Sequence, residues 1–216
     1  MAKECISQNI HAILDRSGSM RGKIQDVIGG LKSNIEELKK NKKEEEDIFL
    51  SIKLFDDSQD IILASKNIEA IDDQKIDVLL EGYKPRGQTA LRDALGDSLN
   101  YFMNHCQMND TENSKTMIYV MTDGLENASR CYTSEKLQEM IEKAKMNDIT
   151  VYYIGSNQDS IFQAKQIGID AGHAMNYNEN DESNRGVFRS LAAVAQRSRS
   201  GNDDSFTMLE RASSVQ

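Results

Sequence analysis

Residues 10–19 read Ile-His-Ala-Ile-Leu-Asp-Arg-Ser-Gly-Ser, a short apolar run that passes directly into a carboxylate and two hydroxyls. A nearly continuous apolar run of this length is typical of a strand that is buried on both faces of a parallel sheet. Three further runs have the same character, at residues 48–52, 117–121 and 151–154. The sequence therefore predicts a sheet with a buried centre and polar residues at the ends of its strands.

Between these runs, apolar residues recur at helical spacing in segments 24–38, 91–102, 137–144 and 187–195. Strands that alternate with helices form a parallel sheet covered on both faces. Only a polar turn separates Phe55 from the next apolar run, which begins at Ile61, and this interval is too short for a crossover. We expect a doubly wound α/β fold: a mainly parallel six-stranded sheet with one antiparallel edge strand, flanked by about six helices.

The length of 216 residues fits one α/β domain. We assign residues 1–201 to this domain. Residues 65–88 form a long charged loop, with a short helix expected near residues 76–80. Residues 202–216 are polar and aperiodic, and we interpret them as a C-terminal tail that is mobile or docked on a partner.

Composition argues against several functional classes. The net charge of −9 and the pI near 4.9 disfavour nucleic-acid binding. No apolar window is long enough for a membrane span, and the first residues do not have the pattern of a signal peptide. Three cysteines form an odd set without metal-ligand spacing, which disfavours a disulfide framework. We therefore expect a cytoplasmic protein.

Polar residues cluster where the predicted strands end. Asp15, Ser17 and Ser19 follow the first strand, and Asp123 follows the strand that ends at residue 121. Thr89 opens the helix that begins near residue 91. Ligands of open parallel sheets bind at the carboxyl ends of the strands, so these five side chains should meet. Oxygen donors favour Mg²⁺, Ca²⁺ or Mn²⁺ over zinc or copper.

Mg²⁺ is the expected metal of this site, with Mn²⁺ or Ca²⁺ as alternatives. Two carboxylates without a bidentate glutamate fall short of a calcium cage, whereas Mg²⁺ commonly retains several waters. Neutral hydroxyl ligands leave much of the metal charge uncompensated. An open coordination position would attract an anionic oxygen, such as an aspartate or glutamate of a partner protein.

These motifs resemble a known family. Asp15-x-Ser17-x-Ser19, Thr89 after a glycine-bearing loop and Asp123 after a strand look like the metal-ion-dependent adhesion site of von Willebrand factor A domains. The likeness runs from about residue 6 to residue 199 and implies a Rossmann-like fold. It also implies that the three hydroxyls ligate the metal, that both aspartates bind it directly or through water, and that the activity is protein binding rather than catalysis. The run 122–127 is similar in style to solitary microbial and viral domains.

Other interpretations stay open. Asp15, Ser17, Ser19 and Thr89 are also favoured helix-capping residues. A metal-dependent hydrolase is an alternative function, although no G-x-S-x-G elbow is present. Self-assembly is another, in which the metal takes a carboxylate from a neighbouring copy's tail, supplied by Asp203, Asp204 or Glu210. A monomer is favoured.

Side chains around the motifs are expected to be mostly passive. Arg16, Met20, Arg86, Gln88 and Glu126 are interpreted mainly as solvated neighbours of the site, of which one or two contact a partner. The strand residue His11 is interpreted as a hydrogen-bonded core histidine.

Overall fold

The computed structural model describes residues 7–108, 114–156, 159–178 and 180–215. Six strands in these ranges form one sheet: β1 (Ser7–Asp15), β2 (Asp47–Phe55), β3 (Gln59–Asn67), β4 (Ser114–Thr122), β5 (Ile149–Ser156) and β6 (Ala174–Tyr177). The α-helices are α1 (Ile24–Asn41), α2 (Asp73–Leu80), α3 (Leu91–Met108), α4 (Ser134–Lys145), α5 (Ser160–Gln166), α6 (Asp181–Arg199) and α7 (Met208–Ser213). In this part of the chain no helix combines the length and the apolar composition that crossing a membrane requires.

The strand order is β3-β2-β1-β4-β5-β6. β1 pairs in parallel with β2 and β4, and β3 runs antiparallel to β2 at the sheet edge. The predicted hairpin and the mainly parallel six-stranded sheet are therefore confirmed. The chain builds outward from β1 to β3 and then returns to place β4 on the other side of β1. This reversal puts the topological switch point between the carboxyl ends of β1 and β4.

Two separate apolar cores cover the sheet, one on each face. Ile10, Ala12 and Leu14 of β1 pack in the core formed with α1, α2 and α6. Ile13 of the same strand belongs to the second core, which α3, α4 and α5 cover. Because alternate residues of a strand point to opposite faces, a strand that serves two cores needs apolar residues in succession. The doubly wound arrangement explains the continuous apolar runs in the sequence.

Helices α1 and α6 approach each other closely at Gly30. A Cβ atom at this position would lie 2.1 Å from Cδ2 of Phe188, so only glycine leaves room for the phenyl ring. One turn later, Asn34 donates a hydrogen bond to the Phe188 carbonyl at 2.8 Å. The ring and the backbone of α6 are thus both held by α1.

The segment after Gly201 differs from the predicted polar tail. It forms α7 and packs on the domain, with Phe206 only 5% exposed and its ring centroid 5.5 Å from that of Tyr152. Arg211 donates hydrogen bonds to the carbonyls of Ala171 and Gly172. A single apolar anchor and contacts to backbone carbonyls leave no periodic pattern in the sequence, which is why the pattern did not predict this docking.

Candidate metal centre

The carboxylate of Asp15 is held at the end of β1. It is fully buried, and its Oδ1 accepts a hydrogen bond from the Ser17 amide at 2.6 Å while its Oδ2 accepts one from Thr122 Oγ1 at 2.6 Å. Burial raises the pKa of Asp15 to about 6, although the hydrogen bonds from Thr122 and Ser17 oppose the shift. Both oxygens therefore have fixed directions, and a nearby cation would favour the ionised form.

Ser17, Ser19 and Asp123 form a continuous chain of oxygens. The Ser17 and Ser19 hydroxyls lie 3.0 Å apart, and Ser19 Oγ donates to Asp123 Oδ1 at 2.5 Å. The other Asp123 oxygen contacts the ammonium of Lys23. The tight turn after β1, which begins a short 3₁₀ helix at Gly18, brings the two serines to the same side.

Thr89 completes the cluster from a third loop. A Cβ atom placed on Gly124 would lie 3.0 Å from Thr89 Oγ1, 3.4 Å from Ser19 Oγ and 3.9 Å from Asp15 Oδ2. Oxygens from three distant loops thus surround one point at the switch between β1 and β4. The structure brings all five of the predicted residues together, and a side chain at position 124 would fill the space between them.

The donor set of this cluster suits a hard divalent cation. Among the residues that the structure describes, no group of three or more His, Cys, Asp or Glu side chains could hold a metal. The cluster instead combines two carboxylates with three hydroxyls. Oxygen donors of this kind are preferred by Mg²⁺ and Mn²⁺.

Arg16, between Asp15 and Ser17 in the chain, anchors the loop that follows β1. Arg16 is 4% exposed, and its Nε donates to Asp56 Oδ2 at 2.9 Å, where Arg86 Nε also donates at 2.7 Å. Although burial alone would raise the pKa of Asp56, hydrogen bonds from Ser58 and the two arginines hold it well below its usual range. The interpretation of Arg16 as a solvated neighbour is wrong, because this ion pair joins the β1 loop to the β2–β3 hairpin. Met20 is likewise fully buried.

Residues beyond the predicted five also organise the site. Glu126 accepts hydrogen bonds from the Ser129 amide at 2.7 Å and the Arg92 amide at 2.8 Å, and Asn127 accepts from the Thr89 amide at 2.8 Å. The loop after Asp123 is thereby tied to the start of α3. These residues follow Asp123 closely in the chain, but nothing in their local pattern indicates contact with a helix 34 to 38 positions earlier.

His11 and His173 have hydrogen-bond partners outside this cluster. His11 is buried and lies within hydrogen-bonding distance of Ser51 and Ser98, which confirms its interpretation as a core histidine. His173 precedes β6, where it pairs with Asp204. Neither of these two histidines contributes an imidazole to the Asp15 cluster.

Comparison with known proteins gives the family. A sequence profile described as von Willebrand factor type A domain matches residues 9–191. The chain belongs to the von Willebrand factor type A family. No curated protein is similar enough in sequence to count as a match.

Solved structures share the fold of this von Willebrand factor A domain. They include a von Willebrand factor type A protein from Catenulispora acidiphila (TM-score 0.66, 16% identity, 88% of this chain and 43% of that one). Another is proximal thread matrix protein 1 from the mussel byssus with a zinc-occupied MIDAS (metal-ion-dependent adhesion site) motif. Its TM-score is 0.64 at 14% identity, and the match covers 89% of this chain and 46% of that one. A third is the manganese-loaded TRAP protein of Plasmodium vivax (TM-score 0.57, 20% identity, 82% of this chain and 71% of that one). The chain spans less than half of the first two.

Proposed function

We propose that this domain binds one divalent cation, Mg²⁺, through Asp15, Ser17, Ser19, Thr89 and Asp123, and that the bound metal recruits a protein presenting an aspartate or glutamate. The observation that carries the proposal is the convergence of hydroxyl and carboxylate oxygens around the space beside Gly124. Two related structures, described as manganese-loaded and as zinc-occupied at a MIDAS motif, support a divalent ion on this fold.

The chemistry of the ligands explains why the partner should be acidic. Three of the five proposed ligands are neutral hydroxyls, so the two aspartates are the only formal charges opposite a divalent ion. The ammonium of Lys23 beside Asp123 further reduces the negative charge available to the metal. An incoming carboxylate would therefore gain a charge-assisted interaction at this edge of the sheet.

Calorimetric titration with MgCl₂ tests the metal half of the proposal. We expect one site in the EDTA-stripped domain and a loss of affinity of at least roughly tenfold, or 1.4 kcal/mol, in Asp123→Ala and Thr89→Ala. Thr133→Ala is the matched control, because this threonine also starts a helix, capping α4 through its hydroxyl, but lies outside the cluster. Equal Mg²⁺ binding by the wild type and Asp123→Ala would refute the assignment.

A pull-down from cell extract tests the partner half. The immobilised domain is incubated in Mg²⁺ and eluted with EDTA, and the proteins that elute are compared with those from the Thr89→Ala domain. We expect specific proteins only from the wild type, and charge-neutralising substitutions of their acidic surface residues should abolish capture. Partners retained equally in EDTA would show that recognition does not depend on the metal.

Self-assembly through the C-terminal segment is disfavoured by the contacts of its acidic residues. Glu210 accepts two hydrogen bonds from Arg197, at 2.9 and 3.0 Å, and Asp204 pairs with His173. Asp203 Oδ1 accepts a hydrogen bond from the Ser205 amide at 2.9 Å. Releasing any of the three carboxylates to a neighbouring copy would break these contacts. We therefore propose a different protein as the partner; the cytoplasmic location stays a prediction from the sequence.

A further inference from the structure

A second concave site lies away from the metal centre. A cavity of about 700 Å³ opens between α3 and the face of the sheet formed by β1, β2, β3 and the start of β4. Its volume falls within the range of roughly 300–1,000 Å³ that small-molecule sites occupy. None of the five proposed metal ligands is among its described lining residues. The cavity is therefore a candidate site in its own right.

The floor of this cavity contains a closed chain of hydrogen bonds. Ser98 Oγ donates to the Ala94 carbonyl at 2.8 Å, so His11 Nε2, 3.1 Å away, donates to Ser98. His11 Nδ1 then accepts from Ser51 at 2.7 Å. Burial, with a smaller effect of the Lys53 charge, lowers the pKa of His11 to about 3, so the imidazole is neutral. The hydroxyl hydrogens of both serines are engaged within the protein.

Lys53 places a cation beside this neutral chain. The residue is 5% exposed, and its ammonium donates to Gln59 Oε1 at 3.0 Å and to the Ala94 carbonyl at 3.2 Å. An ammonium carries three hydrogens, and these contacts account for two. Burial lowers the pKa of Lys53 to about 8 and Asp97 opposes the shift, so the group is mainly charged at neutral pH. Asp97 itself is exposed and already accepts hydrogen bonds from Gln59 and Tyr132.

Aromatic and aliphatic side chains form the wall of the cavity. Phe49, Phe102, Tyr101 and Ile61 line it, and the last two are 49% and 61% exposed, which places them toward the solvent side. His105 stacks on Tyr101 with ring centroids 4.3 Å apart. A buried cation beside an open aromatic wall is costly for stability and is characteristic of a binding site.

We infer that this cavity binds a small monocarboxylate with an aromatic body. Its carboxylate would accept a hydrogen bond from Lys53, and its ring would pack against Phe49, Tyr101 and Phe102. Lys53 is the only Lys or Arg among the described lining residues, so the charge matches a monoanion better than a doubly charged phosphate. Asp97, which also lines the cavity, compensates the Lys53 charge only from its exposed position, whereas a ligand carboxylate could accept the ammonium's third hydrogen directly.

The experiment uses benzoate as the probe. Benzamide is the neutral analogue, and inorganic phosphate tests whether a dianion binds as well. We expect a saturable benzoate titration by amide NMR, with a dissociation constant of roughly 1 mM for so small a ligand, and shifts centred on Ser51, Lys53 and Tyr101. The shifts should be unchanged by EDTA. Lys53→Met should weaken benzoate binding at least about tenfold and leave benzamide binding unchanged. Lys66→Met, at an exposed lysine of β3, is the matched control.

Tyr101→Ala provides a test in case the Lys53 variant does not fold, because Tyr101 is half exposed and its loss leaves the core intact. It should weaken benzoate binding at least about threefold by removing ring contact. The inference is overturned if benzoate shifts do not saturate, if benzamide or phosphate binds as tightly as benzoate, or if the Tyr101→Ala domain binds benzoate as well as the wild type.

Discussion

The ammonium of Lys23 contacts the carboxylate of Asp123, 100 residues away in the chain. The Asp123 side chain is fully buried and that of Lys23 is 21% exposed, so the pair is largely shielded from solvent. A cation at this place stabilises Asp123 but repels a second cation at the same carboxylate. Lys23 should therefore moderate the affinity of the proposed metal site.

Removing the charge of Lys23 is expected to tighten metal binding. In Lys23→Gln, Mg²⁺ should bind about tenfold more tightly, a change of roughly 1.4 kcal/mol, because the repulsion is lost while the ligands remain. Calorimetric titration measures the change. Lys32→Gln is the control, because Lys32 lies on α1, the helix that begins directly after Lys23, and pairs with Asp77 at 2.6 Å. Unchanged or weaker Mg²⁺ binding in Lys23→Gln would show that the lysine does not oppose the metal.

The adjacent glycines of α1 should respond oppositely to alanine. Gly30→Ala is expected to destabilise the domain by about 1–3 kcal/mol, because its methyl group would overlap the Phe188 ring. Gly29→Ala should instead stabilise it by up to about 1 kcal/mol, since a Cβ there meets nothing within 4 Å and alanine favours the helix. Urea unfolding of both variants gives the comparison. A stable Gly30→Ala domain would contradict the close approach of α1 and α6.

Docking of the C-terminal segment depends on Phe206. Phe206→Ala should cost about 3 kcal/mol of unfolding free energy, because the ring is buried against Tyr152. Met208→Gln is the contrasting change: Met208 is 90% exposed, so its replacement should alter stability by less than about 0.5 kcal/mol. Chemical denaturation provides both values, and equal effects of the two substitutions would indicate that the segment is not packed.

Acid should destabilise the domain in part through His11. The pKa of His11 is 6.5 in the unfolded chain and about 3 in the folded domain. Between these pH values the unfolded chain therefore binds more protons at His11 than the folded domain does. Stability therefore falls as the pH drops from about 6.5 toward 3, by up to about 1.4 kcal/mol per pH unit. In His11→Asn this contribution to the pH dependence of the unfolding free energy should disappear. Parallel stability curves for the wild type and the variant between pH 6.5 and 4.5 would argue against a buried neutral imidazole.

The fold was predictable wherever one strand or helix carries its own pattern. The apolar runs of β1, β2, β4 and β5 and the short turn before β3 were sufficient to predict the sheet. β6 has only four residues, too few for a periodic signal. The segment around Phe206 has a single apolar anchor, and its pattern predicts only a polar tail. Elements that are stabilised mainly by tertiary contacts leave little trace in local sequence.

The candidate site, too, was predictable from the sequence only in part. Asp15, Ser17, Ser19, Thr89 and Asp123 could be grouped because each lies at a strand end or a helix start, and topology brings such positions together. Lys23 and Arg16 could not be assigned in this way. Their roles depend on which distant carboxylate each long side chain reaches, and sequence spacing does not determine that.

The position of Asp15 and Ser17 at the end of β1 has a mechanical consequence. β1 is central and is hydrogen-bonded along its length, through nine residue pairs with β2 and eight with β4. Tension applied at the proposed metal along the axis of β1 would load both ladders in shear, so that their hydrogen bonds would have to break together. In the described sheet the outer strands β3 and β6 pair on one side, so an attachment there would be held by one ladder and would separate under a smaller force.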